Sequence, residues 1–320
     1  MIKIIDATLT MLDEYLPTKK QIKQILFLMK EISITDVVIS PEIYERLDGE
    51  LSEEFTFYLE DKNAFVEEEL PDVDFCIRHQ ILKEDSRVIQ NVQVNDMLDF
   101  NTIAEIPDTQ KLLVIGLDDL LLKNDNIINS TLELLKKRDI ILYPENTYYS
   151  ATAIAVEYLQ YNSKKGAVIS TFMGLGNKAA TEQLLLAMHV MKRYKPNMVF
   201  DKLVGLRSLY EEITESTVYK HQPIIGKNIF DVESGVHVHG VLKKSTNYEP
   251  FPPELVGAER TIVLGKYSGN TSIRYKLEQL GLDGDYDISS ILAMVKRLSI
   301  KKRREITDEE FREIVAKCNR

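Results

Sequence analysis

Acidic, amide and lysine side chains follow several short apolar runs of this chain, and their types could do chemistry. Each follows the carboxyl end of a candidate strand along the chain. Carboxylates at such positions can act as general acids or bases, and a lysine can form a Schiff base with a carbonyl substrate. The candidate ligand-binding residues are Asp6, Asp13, Glu14, Glu145, Asn146, Asn177 and Lys178. No catalytic residue is assigned among them.

Two histidines, His237 and His239, alternate within a segment whose composition is typical of an extended chain. Alternating side chains of a strand lie on one face, so the pair could ligate a metal. A structural or subunit-contact role is the preferred interpretation, and we assign no metal ligand.

Short β-branched runs alternate with amphipathic ones over the first 195 residues, which predicts a parallel sheet covered by helices. A closed (β/α) barrel of TIM type is favoured over an open nucleotide-binding sheet, because Asp6-Ala7-Thr8-Leu9 replaces a glycine-rich phosphate loop. The strand candidates are Ile2–Ile5, Ile34–Ile39, Val73–Ile77, Val88–Val94, Leu112–Ile115, Ile140–Tyr143 and Ala167–Thr171. The helix candidates between them are Thr18–Lys30, Asn124–Lys137, Ala151–Tyr161 and Ala179–Met191.

The pattern changes after Lys195, and we predict a barrel domain over residues 1–197 followed by a linker and small helical subdomain over 198–320. Val218–Phe251 is turn-rich and predicted to be extended, and Arg260–Leu264 is predicted to be a short strand. Helices are predicted at Leu203–Glu215, Ile273–Leu280, Ile288–Lys296 and Asp308–Lys317.

Composition excludes several classes of protein. The net charge of −10 without a basic surface cluster argues against nucleic-acid binding. No apolar run approaches the ~20 residues of a membrane helix. Two distant cysteines fit a reducing compartment, so we expect a cytoplasmic protein.

The segment Gly226–Gly269 reads GKNIFDVESGVHVHGVLKKSTNYEPFPPELVGAERTIVLGKYSG. It resembles the linker of the homocitrate synthase and 2-isopropylmalate synthase family (DRE-TIM metallolyase-like), which carries versions of SGIHVDGILK, YEPF and GKHSG after a catalytic barrel. The resemblance is strongest over residues 201–314. It implies an acyltransferase that condenses acetyl-CoA with a 2-oxo acid. It also implies a dimer in which the linker of one chain reaches the active site of the other. The linker and interface candidates are His237, His239, Tyr248, Lys266 and Tyr267, the last replacing a family histidine.

The first strand end resembles the family motif DTTLRDGEQ but loses its reactive groups. Asp6, Thr8 and Leu9 match the motif. The family arginine, which stabilises enolate charge, falls on Thr10, and the metal-binding carboxylate falls on Met11. A thioether is a poor ligand for a hard divalent cation.

The other two metal-binding motifs are also altered. The family sequence HTHDD, whose two histidines bind the metal, falls on Tyr143 and Glu145. Gly174–Glu182 resembles GIGERAGNAALEE with a few residues missing, which leaves open whether Asn177 replaces the ligand asparagine or the glutamate of GER. The resemblance implies a divalent metal whose ligands are not retained, so no cofactor is assigned.

Three functions are compatible with these residues. The first is an acyltransferase-family subunit that forms a homodimer, or a heterodimer with an intact homologue that it completes or modulates. The second is a non-catalytic pseudoenzyme or scaffold that binds a small carboxylate. The third is metal-free lyase or aldolase chemistry through Asp13, Glu14, Glu145 and Lys178. The short interval between Asp6 and Tyr143 further suggests that one βα unit of the barrel is eroded.

Overall fold

A computed structural model describes residues 2–60, 70–78, 85–96, 99–119, 125–191 and 198–318. It divides into two compact units, Met1–Val218 and Tyr219–Arg320. The sequence predicts a boundary between a barrel domain, residues 1–197, and a second domain, residues 198–320, and this boundary stays a prediction.

Eight parallel strands close into a barrel in chain order, with the first strand paired to the last, and this confirms the (β/α) barrel. The strand missing from the sequence prediction is Thr56–Glu60, so no strand of the barrel is lost. Nine residues, 79–87, lie between the fourth strand and the fifth. The strands are β1 Lys3–Asp6, β2 Asp36–Ile39, β3 Thr56–Glu60, β4 Phe75–Arg78, β5 Val88–Val94, β6 Leu112–Gly116, β7 Ile140–Pro144 and β8 Ala167–Ser170.

The barrel interior is filled with apolar side chains, as in other barrels of this type. Aliphatic residues from most strands surround two tyrosines, Tyr58 and Tyr143. The outer helices agree with the four predicted between the strands and with the predicted helix Leu203–Glu215, and the described residues add two more, at Pro41–Arg46 and Phe100–Glu105. They are α1 Lys19–Glu31, α2 Pro41–Arg46, α3 Phe100–Glu105, α4 Asp125–Lys136, α5 Ala151–Tyr161, α6 Thr181–Val190 and α7 Leu203–Thr214. Short 3₁₀ segments at Thr8–Tyr15 and Phe172–Gly174 follow β1 and β8.

The second unit contains a parallel pair of strands, β9 Asp231–Val232 and β10 Thr261–Ile262, and four helices. The three predicted C-terminal helices are present, and Thr307 and Glu310 form the reciprocal hydrogen bonds of a capping box before the last of them. The helices are α8 Gly235–Lys244, α9 Asn270–Gln279, α10 Ile288–Lys302 and α11 Asp308–Cys318.

Helix α8 corrects the prediction that Val218–Phe251 is extended. Val238 and Val241 are the buried residues of this helix, and their spacing of three residues places them on one helical face. The alternation of Val and His there was wrongly interpreted as a strand period. Among the described residues, no helix combines the length and hydropathy that crossing a bilayer would require.

Candidate functional site

Asp6 lies at the carboxyl end of β1, where barrel active sites are built, and it is almost fully buried. One carboxylate oxygen accepts the Thr8 backbone N–H at 2.8 Å, and the other accepts the Thr181 hydroxyl at 2.6 Å. Burial raises the pKa of Asp6, although both threonines partly offset this. Asp6 therefore joins the first strand to the start of α6, and its contacts are those of a structural carboxyl.

Glu182 is a buried carboxyl that the sequence analysis missed. It is 0% exposed in the first turn of α6, and one carboxylate oxygen accepts the Met173 backbone N–H at 2.9 Å. The other oxygen, Oε1, has no hydrogen-bond partner among the described residues. Burial raises the pKa of Glu182 to about 7. The available signal was an acidic residue within Gly174–Glu182, the segment that resembles a family motif after the last barrel strand.

Glu145 and Lys178 meet at the mouth of the barrel. Lys178 Nζ lies 3.0 Å from Glu145 Oε1 and 4.4 Å from the centroid of the Tyr143 ring. Gln93 donates to the second Glu145 oxygen at 3.2 Å. Burial and nearby carboxylates hold the pKa of the Tyr143 phenol well above its usual range. Its hydroxyl has no hydrogen-bond partner among the described residues.

The two candidate asparagines bind backbone groups. Asn146 accepts the Ala151 backbone N–H through its side-chain oxygen, and its own N–H donates to the Asn177 carbonyl at 2.9 Å. Asn177 has φ of 60° and is exposed in the loop after β8. Lys178, rather than Asn177, is therefore the residue of this loop whose side chain contacts the strand-end residues of β7.

Asp13 and Glu14 lie on the 3₁₀ segment after β1. Asp13 accepts a hydrogen bond from the Ser40 hydroxyl at 2.7 Å, and Glu14 is exposed. Asp13 and Glu14 thus lie on the segment that follows β1, whereas Glu145 and Lys178 pair with each other beyond β7 and β8.

The residues at the family's metal-binding positions do not fit a divalent metal. They are the Met11 thioether, the Tyr143 ring and the Glu145 carboxylate, with Asn177 as the fourth if it stands at the family's ligand asparagine. A single carboxylate paired with an ammonium is not a donor set for a hard cation. The described part of the chain contains no group of three or more His, Cys, Asp or Glu side chains able to hold a metal ion.

The predicted interface histidines, His237 and His239, lie on α8, and this position argues against one metal ion bound by both. Residues two apart on a helix point to different sides, so the alternation of His237 and His239 does not place them together. The His237 ring instead packs against Tyr248, with centroids 4.8 Å apart. Both rings are exposed.

Two features hold Tyr248 in this position. A Cβ added at Gly240 would overlap the Tyr248 ring, so the glycine leaves the space in which the ring lies. The next residue, Glu249, accepts two hydrogen bonds from the Arg260 guanidinium, at 2.5 Å and 2.6 Å. Such bidentate pairs fix geometry as well as charge.

Lys266 and Tyr267, the last two interface candidates, are also exposed. Lys266 Nζ lies 4.5 Å from the centroid of the Tyr267 ring, and the Tyr267 N–H donates to Glu233 at 2.8 Å. Tyr267 and His239 line an open pocket of about 470 Å³ at the starts of α8 and α9. The linker candidates therefore form an exposed surface of the second unit.

Comparison with known proteins places this surface in a family. Residues 224–303 match the family described as homocitrate synthase post-HMGL domain-like. The chain is 28% identical over 268 residues to the homocitrate synthase omega subunit of Clostridium pasteurianum, covering 76% of this chain and 72% of that protein.

Two archaeal proteins match over shorter stretches. Homocitrate synthase AksA of Methanocaldococcus jannaschii is 36% identical over 190 residues, 57% of this chain and 45% of that protein. A probable 2-isopropylmalate synthase of Ignicoccus hospitalis is 33% identical over 195 residues, 60% and 48% respectively. The matched part thus spans under half the length of these two relatives. The resemblance predicted from the sequence is confirmed.

Proposed function

Because this chain resembles the homocitrate synthase and 2-isopropylmalate synthase family, we propose that it is a subunit that completes or modulates an intact homologous synthase. On its own it condenses acetyl-CoA with a 2-oxo acid negligibly. The observation that carries the proposal is the contrast between its two units. The barrel mouth lacks the family's metal donors, whereas the linker surface keeps an ordered aromatic pair.

The barrel argues against independent catalysis. A metal of this family polarises the 2-oxo group and holds the substrate in register. Thr10 and Met11 stand at the positions of the arginine and of one metal ligand, and Glu145 is already paired with Lys178. A condensation that depends on those groups has no support at this mouth.

The linker surface supports a role in association. Several large apolar side chains of α8 and the following loops are exposed, including Val236 at 84% and Tyr267 at 62%. Exposed apolar groups that cluster on one surface mark interaction sites. The His237–Tyr248 pair lies among them, held by Gly240 and by the Glu249–Arg260 pair. In the resembled family this part of the chain reaches the active site of the neighbouring subunit.

One relative supports the same assignment. The Clostridium pasteurianum protein is named as an omega subunit, and the match covers most of both chains. That name implies an assembly with at least one other subunit. The partner proposed for this chain is a homologue with the Arg-Asp and His-x-His motifs intact.

The test is thiol release from acetyl-CoA in the presence of 2-oxoglutarate, with Mg²⁺, Mn²⁺ or Zn²⁺. We expect negligible turnover by this chain alone. Adding it to an intact homologue from the same source should change that partner's rate. His237→Ala should abolish the change, whereas His221→Ala, at another exposed histidine of the same unit, should preserve it.

Metal-dependent turnover of about 1–10 s⁻¹ by the isolated chain, ordinary for an enzyme, would contradict the proposal. If the chain neither associates with a homologue nor alters its rate, the alternative of a carboxylate-binding scaffold or pseudoenzyme takes its place. Direct calorimetric titration with 2-oxoglutarate then tests that alternative.

A further inference from the structure

Two strand-end residues and one loop residue converge at the barrel mouth. Tyr143 and Glu145 are two residues apart at the end of β7, so their side chains lie on the same side of the strand path. A backbone bridge pairs Glu145 with Lys178 from the loop after β8. This bridge brings the lysine beside both residues, although it lies more than thirty positions along the chain.

The contacts of Lys178 are those of a bound cation. Its ammonium lies 3.0 Å from a carboxylate oxygen of Glu145 and over the Tyr143 ring at 4.4 Å, and its side chain is 11% exposed. A carboxylate and an aromatic face are favourable partners for an ammonium ion. The second Glu145 oxygen accepts from Gln93, so both oxygens of the carboxylate are occupied.

We propose that the Lys178 ammonium is a tethered cation that takes the place of the divalent metal in this barrel. A metal ion approaching Glu145 would meet a positive charge already bound there, and like charges at this separation repel. The Tyr143 aromatic face that lies beside this pair is a poor ligand for such an ion. The barrel mouth is therefore built to be stable without metal. This inference does not rest on the proposed function and holds equally for a subunit or a scaffold.

The experiment compares the full-length chain with Lys178→Ala and Lys178→Met. Thermal unfolding is followed by circular dichroism, with Mn²⁺, Zn²⁺, propylammonium chloride or KCl added at equal ionic strength. Metal content after dialysis against Mn²⁺ or Zn²⁺ is measured by mass spectrometry. Propylammonium has the three carbons and the ammonium that Lys178→Ala removes beyond Cβ. Lys178→Met keeps most of the side-chain volume, so it leaves no space for the added cation.

We expect the original chain to retain no metal and to show no rise in Tm with either ion. Lys178→Ala and Lys178→Met should each lower Tm by about 2–6 °C. Propylammonium should recover part of that loss in Lys178→Ala alone, and KCl should recover none. Stoichiometric metal in the original chain with a raised Tm would overturn the proposal, even if neither variant folds. An unchanged Tm in both variants, or equal recovery by KCl, would overturn it as well.

Discussion

Gly240→Ala should separate the stability of α8 from the position of Tyr248. Alanine is more favourable than glycine within a helix by about 1 kcal/mol, and Gly240 lies inside α8. The new Cβ would overlap the far end of the Tyr248 ring, which is 44% exposed and free to rotate outward. That rotation gives up the ring contact with His237, worth about 0.5–1.5 kcal/mol. The two effects nearly cancel, so we expect a free energy of unfolding within about 0.5 kcal/mol of the original chain.

The assay is urea unfolding of four proteins: the original chain, Gly240→Ala, Tyr248→Ala and the double variant. In the Tyr248→Ala background the overlap is absent, so Gly240→Ala should stabilise by the full ~1 kcal/mol. The coupling energy between the two positions should therefore be about 0.5–1.5 kcal/mol. If Gly240→Ala stabilises both the original chain and Tyr248→Ala equally, the Tyr248 ring does not pack against Gly240. A loss above about 2 kcal/mol in Gly240→Ala alone would refute the free rotation of the ring. If the proposed function holds, Gly240→Ala should fold normally yet fail to alter a partner's rate.

Three further predictions follow from the structure. Burial raises the pKa of Glu182 in the folded chain to about 7 from an ordinary 4.5, so the stability that its protonated form contributes is present below the unfolded pKa and is lost as pH rises through 7. The free energy of unfolding should therefore fall by about 3 kcal/mol more in the original chain than in Glu182→Gln between pH 4.5 and 7.5, as measured by chemical unfolding at each pH. An equal pH dependence of the two proteins would contradict this. Arg260→Ala leaves the mostly buried Glu249 carboxylate without its bidentate partner, so the free energy of unfolding measured in urea should fall by about 1–3 kcal/mol. An unchanged unfolding midpoint would show that the pair does not stabilise the chain. We expect an obligate dimer, either of this chain or with an intact homologue, whose interface includes Gly226–Gly269. A chain that ends after residue 195 should not associate. The prediction fails if sedimentation shows that the full-length chain is a stable monomer at micromolar concentration and no homologue co-purifies from its source.

The strands that the sequence identified are short segments rich in β-branched or aliphatic residues. Thr56–Glu60 escaped because its short apolar run lies between acidic residues, which resemble a solvated loop. The residues of helix α8 were predicted to be extended because their apolar positions fit both a strand period and a helix period. Val236 and Val238 fit a strand, whereas Val238 and Val241 fit a helix, and burial of the latter two decides the outcome.

The candidate site was predicted in its residues but not in its contacts. Glu145 and Lys178 were both candidates, yet their pairing depends on the closure of β7 against β8 and its loop. The position of Asn177 in the family motif could not be decided by spacing, because the loop is shorter than that motif. Glu182 was missed because an acid in the first turn of a helix ordinarily faces solvent and complements the helix dipole.

The sequence by itself determined the family resemblance and the barrel class, because these depend on residue types and on motifs that are local in the chain. Only the tertiary structure decided where the lysine charge lies, which carboxyl is buried and which ring packs on His237. Each of these depends on elements distant in sequence, since pairing and desolvation are set by neighbours that the chain brings together only when it folds.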